Sequence, residues 1–193
     1  MYVKATQHNE VGFGLIEVLI AMVVFAIGLL GVAALQVRGQ QLELESYQRA
    51  QALILLQDMV ERMNVNRPAR NCYPDTIDAM NPKYVGSAAS ALPGCAGSGT
   101  IATRDRADAD LAAWDAMLRG AGETLGGANV GAITGARGCV TVDAATGTFY
   151  TVAVAWQGEI ATVSPTNLCA QNQYGNDALR RVISTNLEFA NLN

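Results

Sequence analysis

The sequence predicts an α+β fold in which one long N-terminal helix packs on a small antiparallel β-sheet. Three observations support this: an apolar run at residues 13–35, a helical pattern that continues from it through residues 36–64, and β-type segments in the last third of the chain. The two helical stretches together would extend about 75 Å, which is too long to bury in one small domain. We therefore expect residues 13–35 to enter a membrane and residues 36–64 to pack against a globular domain of residues 65–193.

The apolar run at residues 13–35 contains one charged residue, Glu17, and no proline. At 1.5 Å per residue it would span about 35 Å, enough to cross a bilayer. The residues before it, 1–12, are short and polar and carry one lysine and one glutamate. A secretory signal peptide has a basic start and a shorter apolar core, so we expect this segment to be a different kind of leader.

The continuation at residues 36–64 is predicted to be amphipathic. Its apolar residues recur at helical spacing, namely Ala52, Leu53, Leu55, Leu56, Met59, Val60 and Met63. The polar face is assigned to Gln48, Arg49, Gln51, Asp58, Glu61 and Arg62. The helix is expected to end near Asn64, since Pro68 disfavours helical backbone just before it.

The rest of the chain is predicted to alternate loops with short elements. Residues 65–103 are rich in proline, glycine and serine and are expected to be loop-like. A helix is predicted at 104–119, a glycine-rich connection at 120–137, a hairpin from 138–142 and 148–157, and a last strand at 180–189. The two tryptophans, Trp114 and Trp156, are expected to lie in the core.

Charge and residue types exclude several functions. The formal net charge is −4 and no lysine or arginine cluster is present, so direct nucleic-acid binding is not expected. The single histidine lies at residue 8, inside the leader, and no nucleophile or metal-ligand set is recognisable. The segment GAGETLGG lacks the ending of a phosphate loop and is interpreted as a flexible connection. We therefore expect a structural protein with no cofactor, not an enzyme.

Four aspartates lie close together in the predicted helix at 104–119, at Asp105, Asp108, Asp110 and Asp115. Their spacing does not match an EF-hand loop, which needs a glycine turn and a terminal glutamate. Acidic residues early in a helix are favoured by its dipole. We expect no metal site here.

The junction Gly12-Phe13 followed by Glu17 is the most informative motif. A charged residue at the centre of a membrane helix costs about 2.5–3.5 kcal/mol, and less near the end where Glu17 lies. The side chains within one helical turn of Glu17 supply no cation, because they are those of Phe13, Gly14, Ile20 and Ala21. The carboxylate therefore needs a partner from outside this helix, unless it belongs to an ordinary anchor and reaches the membrane surface.

This stretch resembles the class III signal of type IV prepilins. The resemblance implies that a prepilin peptidase cuts between Gly12 and Phe13, removes the leader 1–12 and methylates the new Phe13 amine. It also implies that Glu17 meets the Phe13 amine of a neighbouring subunit during assembly. The usual threonine after the phenylalanine is replaced by Gly14, a departure that leaves the three key positions intact.

The segments LIEVLIAMVVFAIGLLGVAALQ and RAQALILLQDMVERMNVNR, with YTVAVAWQG, are similar to the PilV type of minor pilin. This resemblance implies the type IV pilin fold and a single-pass protein of the bacterial inner membrane with its domain in the periplasm. It further implies a priming and tip complex with other minor and major pilins and a large tip adhesin, serving pilus-based adhesion and twitching motility.

Two related functions stay open. A minor pseudopilin of a type II secretion system is the close alternative, although such proteins tend to be smaller and to lack paired cysteines. A DNA-uptake pilin is disfavoured by the acidic charge.

The apolar run contains Gly28 and Gly31 where major pilins carry a proline. These glycines would let the helix stretch or would let two helices approach closely, and we favour close approach.

The four cysteines are Cys72, Cys95, Cys139 and Cys169, none of them in C-x-x-C spacing. Zinc binding is therefore poorly supported. An even number after a membrane-entering segment suggests disulfides in an oxidising compartment, with four buried free thiols as the alternative. Of the three possible pairings we predict Cys72–Cys95 and Cys139–Cys169, both of which close local loops.

Overall fold

A computed structural model describes residues 14–74, 83–89, 94–95, 97 and 99–190, and it confirms the α+β class. The helices are α1 (Leu15–Val65) and α2 (Ile101–Leu118), with short 3-10 helices at Arg67–Cys72 and Asp177–Leu179. The strands are β1 (Val85–Gly86), β2 (Thr124–Leu125), β3 (Ala128–Asn129), β4 (Arg137–Val142), β5 (Phe149–Gln157) and β6 (Arg180–Glu188). The chain divides into two compact units, Met1–Glu43 and Leu44–Asn193, and α1 contributes to both.

The main sheet of the second unit has the strand order β1-β4-β5-β6, and all its pairs are antiparallel. The predicted hairpin is formed by β4 and β5, with Cys139 opposite Ala153. The predicted last strand is β6, which pairs with β5 without interruption from Phe149–Glu188 to Gln157–Arg180. Long alternating β-branched and aromatic stretches therefore predicted these strands to within a residue or two.

The second part of α1 supplies one wall of the core. Its buried residues are Gln48, Ala52, Leu56, Met59 and Met63, spaced three or four apart on one face of the helix. The prediction that Gln48 belongs to the polar face is wrong, because Gln48 lies four residues before Ala52 and so falls on the buried face. Leu53, predicted to lie on the apolar stripe, is instead 43% exposed.

Helix α2 begins at Ile101, three residues earlier than predicted. The Thr100 hydroxyl accepts a hydrogen bond from the Thr103 amide at 3.3 Å and caps the helix. The core face of α2 carries Leu111, Trp114 and Leu118, as the sequence predicts, and all three are buried. Trp156 on β5 is buried as well, so both tryptophans are core residues.

The glycine-rich connection at 120–137 is not featureless. It contains the hairpin of β2 and β3, in which Leu125 pairs with Ala128 across Gly126 and Gly127. Both glycines have positive φ, 59° and 84°, as a tight two-residue hairpin turn requires. The segment GAGETLGG, interpreted from the sequence as a flexible connection, thus contains β2 and the turn of this hairpin.

Candidate assembly site

Glu17 lies in the first turn of α1, with its side chain exposed. The amides of Glu17 and Val18 both donate to the Gly14 carbonyl, at 3.0 and 3.4 Å, so the helix starts just before the carboxylate. An open groove runs along this turn and is lined by Glu17, Val18, Ala21, Met22 and Phe25. The carboxylate is thus the polar end of an otherwise apolar surface.

The surroundings of Glu17 leave its charge without a side-chain partner from its own helix. The sequence contains no lysine, arginine or histidine from residue 9 to residue 37. In an apolar medium an ionised carboxylate is strongly disfavoured unless it is paired or solvated. The arrangement therefore suits a cation brought by another molecule.

Gly12 and Phe13, the two residues of the predicted cleavage junction, lie outside the described residues. The described chain begins at Gly14 and enters α1 at Leu15. The cleavage junction therefore stays a prediction from the sequence.

The first part of α1 is long and apolar enough to cross a membrane, by length and composition. Its most apolar 18-residue window has a mean hydropathy of 2.9, and none of that window is buried within the chain. At least half of the residue surface is exposed at Leu19 (59%), Val23 (50%), Phe25 (68%) and Leu30 (72%). In water such a surface would be unstable, so it needs lipid or other helices around it.

Gly28 and Gly31 lie in this exposed part of α1. A Cβ added at either position would meet nothing within 4 Å. Packing within the chain therefore does not explain why glycine, which lowers helix stability by about 1 kcal/mol relative to alanine, occupies both positions. A second helix from another chain would explain both glycines, because small residues let two helices approach closely.

In the second unit, α2 is fastened to α1 by Trp114. The indole Nε1 donates to the Leu55 carbonyl at 2.8 Å, and the ring is fully buried. On its other side the ring lies over β4 at Gly138, where a Cβ would approach a ring atom to 2.2 Å. One side chain thus connects α1, α2 and the sheet.

A buried carboxylate makes a second connection between the two helices. Asp110 of α2, 2% exposed, accepts from Arg62 of α1 at 3.0 Å and from Arg106 at 3.2 Å. Its other oxygen accepts from the Tyr73 hydroxyl at 2.7 Å. Burial, with the hydrogen bond to Asp110, raises the pKa of Tyr73 above its ordinary range.

Three of the four aspartates of α2 contact protein groups. Asp115 pairs with Arg119 at 2.8 Å and also accepts from the Gly86 amide, while Asp108 accepts from the Cys95 amide. Together with Asp110 they fasten α2 to the segments around it. This use gives all three aspartates a structural role.

Arg181 of β6 connects the sheet to α1 at the start of the second unit. Its guanidinium lies 3.1 Å from the Glu45 carboxylate. It also donates to the Ile160 carbonyl at 2.6 Å and to the Thr162 hydroxyl at 2.8 Å. The loop between β5 and β6 is thus held to the strand that follows it and, through Arg181, to α1.

All four cysteines are paired, as Cys72–Cys95 and Cys139–Cys169. The first bridge joins the 3-10 helix after α1 to the segment before α2. The second joins β4 to the loop before β6, with both its cysteines buried. Each bridge closes a loop, with sequence separations of 23 and 30 residues, a size worth about 3–4 kcal/mol in the chain-entropy account.

Comparison with known proteins gives two matches to family models. Residues 34–117 match the family described as Type IV pilin Tt1218, and residues 9–33 match the prokaryotic N-terminal methylation motif. Searches of the curated proteins and of the solved structures returned no match.

These matches say what two parts of the chain are similar to. The part at 34–117 is similar to type IV pilins, and the segment before it is similar to the N-terminal methylation motif. The long helix followed by a small antiparallel sheet agrees with the type IV pilin fold. Both matches support a pilin-like role in a pilus or pseudopilus.

Sequence analysis missed the connections that orient the second part of α1. The bond from Trp114 to the Leu55 carbonyl has no sequence signal, since the acceptor is main chain. The pair of Glu45 and Arg181 spans most of the domain in sequence. The pairs at helical spacing could have been found from the sequence, such as Asp58 with Arg62 at 2.7 Å and Arg106 with Asp110 at 3.2 Å.

Proposed function

We propose that this chain is a minor pilin of the PilV type, which joins other minor pilins in a small complex that primes type IV pilus assembly. The observation that carries the proposal is Glu17, an exposed carboxylate at the start of an apolar helix with no cationic residue from 9 to 37. A subunit that only needed an anchor would gain nothing from this charge. A subunit that must recognise its neighbours inside a membrane would.

The partner cation is the N-terminal amine of a neighbouring subunit. Hydrolysis of the Gly12–Phe13 peptide bond frees that amine at Phe13, and methylation leaves it protonated and cationic. In a low-dielectric setting it attracts the Glu17 carboxylate far more strongly than in water, although the loss of hydration offsets part of the gain. The pair forms only between subunits, so the cost of the buried charge is relieved on assembly.

The remainder of the exposed helix supports close packing between subunits. Apolar side chains cover it, and Gly28 and Gly31 leave space for a second backbone. Because lipid tails are as apolar as these side chains, close contact and polar pairs decide which helices associate. Glu17 would then set the register of the contact that the glycines allow.

A pilus is favoured over a type II secretion pseudopilus by the two disulfides of the second unit. They suit an oxidising compartment, so we place the domain in the periplasm and the helix in the inner membrane. The complex would travel outward with the growing filament to its tip, where a large adhesin would be its further partner.

Deletion of the chain from a piliated strain tests this proposal. We expect few pili, restored by the full chain, and we expect the affinity-tagged full chain extracted from membranes to co-purify with other prepilin-like proteins. A strain that keeps normal pili but loses export through its secretion system would contradict the pilus assignment and favour the pseudopilin.

A further inference from the structure

Arg137 of β4 is a buried arginine on the face of the main sheet that is turned away from α2. Trp114 of α2 packs against Gly138, so by alternation Arg137 and Cys139 project from the opposite face of the strand. Only 7% of Arg137 is exposed. A small apolar cluster that includes Cys139 and Tyr174 lies on this face, so the guanidinium has lost most of its contact with water.

The contacts of Arg137 use only part of its side chain. The guanidinium carbon lies 5.1 Å from the centroid of the Tyr84 ring and 4.6 Å from that of the Tyr174 ring. The Nη1 group donates to the Gly135 carbonyl at 3.3 Å. The Nε group is enclosed and has no hydrogen-bond partner. Among the residues that the structure describes, Nη2 has no acceptor and no carboxylate pairs with the guanidinium.

Neither tyrosine supplies the missing negative charge. The Tyr174 hydroxyl donates to the Gly135 carbonyl at 3.0 Å, and burial raises the pKa of Tyr174 above its usual value, so this ring stays neutral. The Tyr84 hydroxyl donates to the Gln173 side-chain oxygen at 2.9 Å. A ring face attracts a cation, but it does not replace the hydrogen bonds that a carboxylate would accept.

Arg180 shows how the same fold satisfies a second buried arginine. Its guanidinium donates to both oxygens of Asp177 and to three main-chain carbonyls of the loop before β6. Arg137 is buried almost as deeply, yet it donates one hydrogen bond within the described part of the chain. A buried charge is costly unless it is paired and hydrogen-bonded, so Arg137 lacks an anion that the described residues do not provide.

The unused donors indicate which kind of anion fits. Nε and the adjacent Nη2 lie on one edge of the planar guanidinium, and this fork matches the two oxygens of a carboxylate. One carboxylate would also balance the single charge, whereas a phosphate dianion would exceed it. Tyr84 is half-buried and Gln173 is exposed, so the guanidinium lies one layer of side chains below the surface.

We propose that Arg137 binds a carboxylate through Nε and Nη2, supplied by an acidic side chain of another protein chain or by a small free carboxylate. The rings of Tyr84 and Tyr174 position the guanidinium, and the carboxylate neutralises it. Because Nε is enclosed, the half-buried Tyr84 ring turns aside to admit the ligand, which breaks only its hydrogen bond to the exposed Gln173.

The test follows the isotopically labelled full chain in detergent by NMR, with the backbone amides of Gly135 and Tyr174 as reporters. Propionate is the carboxylate probe and replaces chloride at constant ionic strength. Propionamide, which has the same shape without the charge, is the control probe. We expect a saturable shift of both amides with propionate and no saturable shift with propionamide.

Three variants localise the binding. Arg137→Gln should abolish the saturable shift, and Arg137→Lys, which keeps the charge without the fork, should bind propionate about fivefold or more weakly. Arg49→Gln removes the same charge from an exposed position of α1 and should bind as the wild type does. Thermal melting checks that each variant is folded, and Arg137→Lys keeps the test decisive if Arg137→Gln does not fold.

Two tripeptides distinguish the sources of the carboxylate. Acetyl-Gly-Glu-Gly-amide that binds more tightly than propionate would assign the site to an acidic side chain of another chain, and weaker binding would assign it to a small free carboxylate. Acetyl-Gly-Gln-Gly-amide should not bind. The proposal would be overturned by a wild type that shows no saturable shift with propionate, by equal shifts with propionamide, or by unchanged propionate binding in Arg137→Gln or Arg137→Lys.

Discussion

At the scale of single residues, the ring of Trp114 occupies the space beside Gly138 that a larger residue would need. A Cβ at this position would lie 2.2–2.7 Å from three ring atoms. Trp114 cannot swing aside, since its indole is buried and hydrogen-bonded to the Leu55 carbonyl. This position therefore accepts only glycine without a shift of α2.

Gly138→Ala should lower the free energy of unfolding by about 1–3 kcal/mol, the usual range for an overpacked core. Gly122→Ala is the matched control, because a Cβ there meets nothing within 4 Å, and it should change stability by less than about 0.5 kcal/mol. Thermal or denaturant unfolding of the two variants measures the difference. Equal stability would mean that Trp114 does not hold α2 in the described place.

The junction at Gly12 and Phe13 is the residue-scale feature on which processing depends. Gly12→Arg should leave the leader attached, because a bulky cation replaces the small residue before the cut. Gly14→Thr, which introduces the residue more usual at that position in prepilins, should leave cleavage intact. Mass spectrometry of the N-terminal peptide decides: the wild type should begin FGLIEV with a methylated Phe13, and a start at Met1 would contradict the predicted signal.

At the scale of elements, the sequence predicted what long periodic patterns encode. The span of α1, the β4–β5 hairpin and β6 all follow from sustained apolar spacing and from turn residues. Two features were missed because their signals are short. The start of α2 depends on one capping hydroxyl, that of Thr100, and the β2–β3 hairpin depends on the pair Gly126 and Gly127.

The buried face of α1 shows a different kind of limit. The pattern of residues 36–64 allowed two overlapping apolar stripes, and the choice between them depends on what packs against the helix. Ala52, Leu56, Met59 and Met63 face the core, so a polar residue, Gln48, is buried with them. Of the candidate site, the position of Glu17 in an apolar helix was predictable, whereas the partner proposed for it belongs to another subunit and is not encoded in the pattern of this helix.

The start of β6 is stabilised by Arg180, which is fully buried. Its guanidinium donates to both oxygens of Asp177 at 2.7 and 2.9 Å, to the Cys169 carbonyl, to the Pro165 carbonyl and to the Asn167 carbonyl. All five donors of the side chain are used. The loop that carries Cys169 is therefore held to the strand by one side chain and to β4 by a disulfide.

The pair of Asp177 and Arg180 gives this element a pH dependence. The hydrogen bonds from Arg180 lower the pKa of Asp177 below its usual value. A lowered pKa stabilises the fold above the unfolded-state value of about 3.9, and that contribution is lost as the pH falls through the folded-state pKa. Asp177→Asn should therefore be less stable than the wild type at pH 7, and the gap should close as the pH falls below about 4.

Denaturant unfolding at a series of pH values measures that gap. Glu159→Gln is the control, since Glu159 is exposed and forms no described ion pair; its stability should follow the wild type at every pH. A gap between wild type and Asp177→Asn that is constant from pH 7 to pH 3 would contradict the assigned pair.

At the scale of the whole molecule, the two units are stabilised in different ways. The second unit, from Leu44 onward, has its own core, two disulfides and a fastened helix. The described part of the first unit is a helix whose apolar side chains are exposed. The stability of the first unit must therefore come from lipid and, in an assembly, from the helices of other subunits.

The proposed role of Glu17 in assembly can be separated from anchoring by substitution. Glu17→Ala makes the apolar run more hydrophobic, so the protein should still be cut, inserted and folded. Glu17→Gln keeps the size of the side chain and removes only the charge. Glu43→Ala removes a carboxylate from an exposed position further along the same helix and serves as the control.

The decisive measurement is the amount of other minor pilins that co-purifies with each variant of the full chain from membrane extracts, together with the number of pili per cell. Pairing of Glu17 with a neighbour's Phe13 amine predicts a loss of about tenfold or more for Glu17→Ala and Glu17→Gln, the effect of losing an interaction of about 1.4 kcal/mol or more. Glu43→Ala should match the wild type. Normal recovery of the complex and normal piliation with Glu17→Ala would contradict the pairing role.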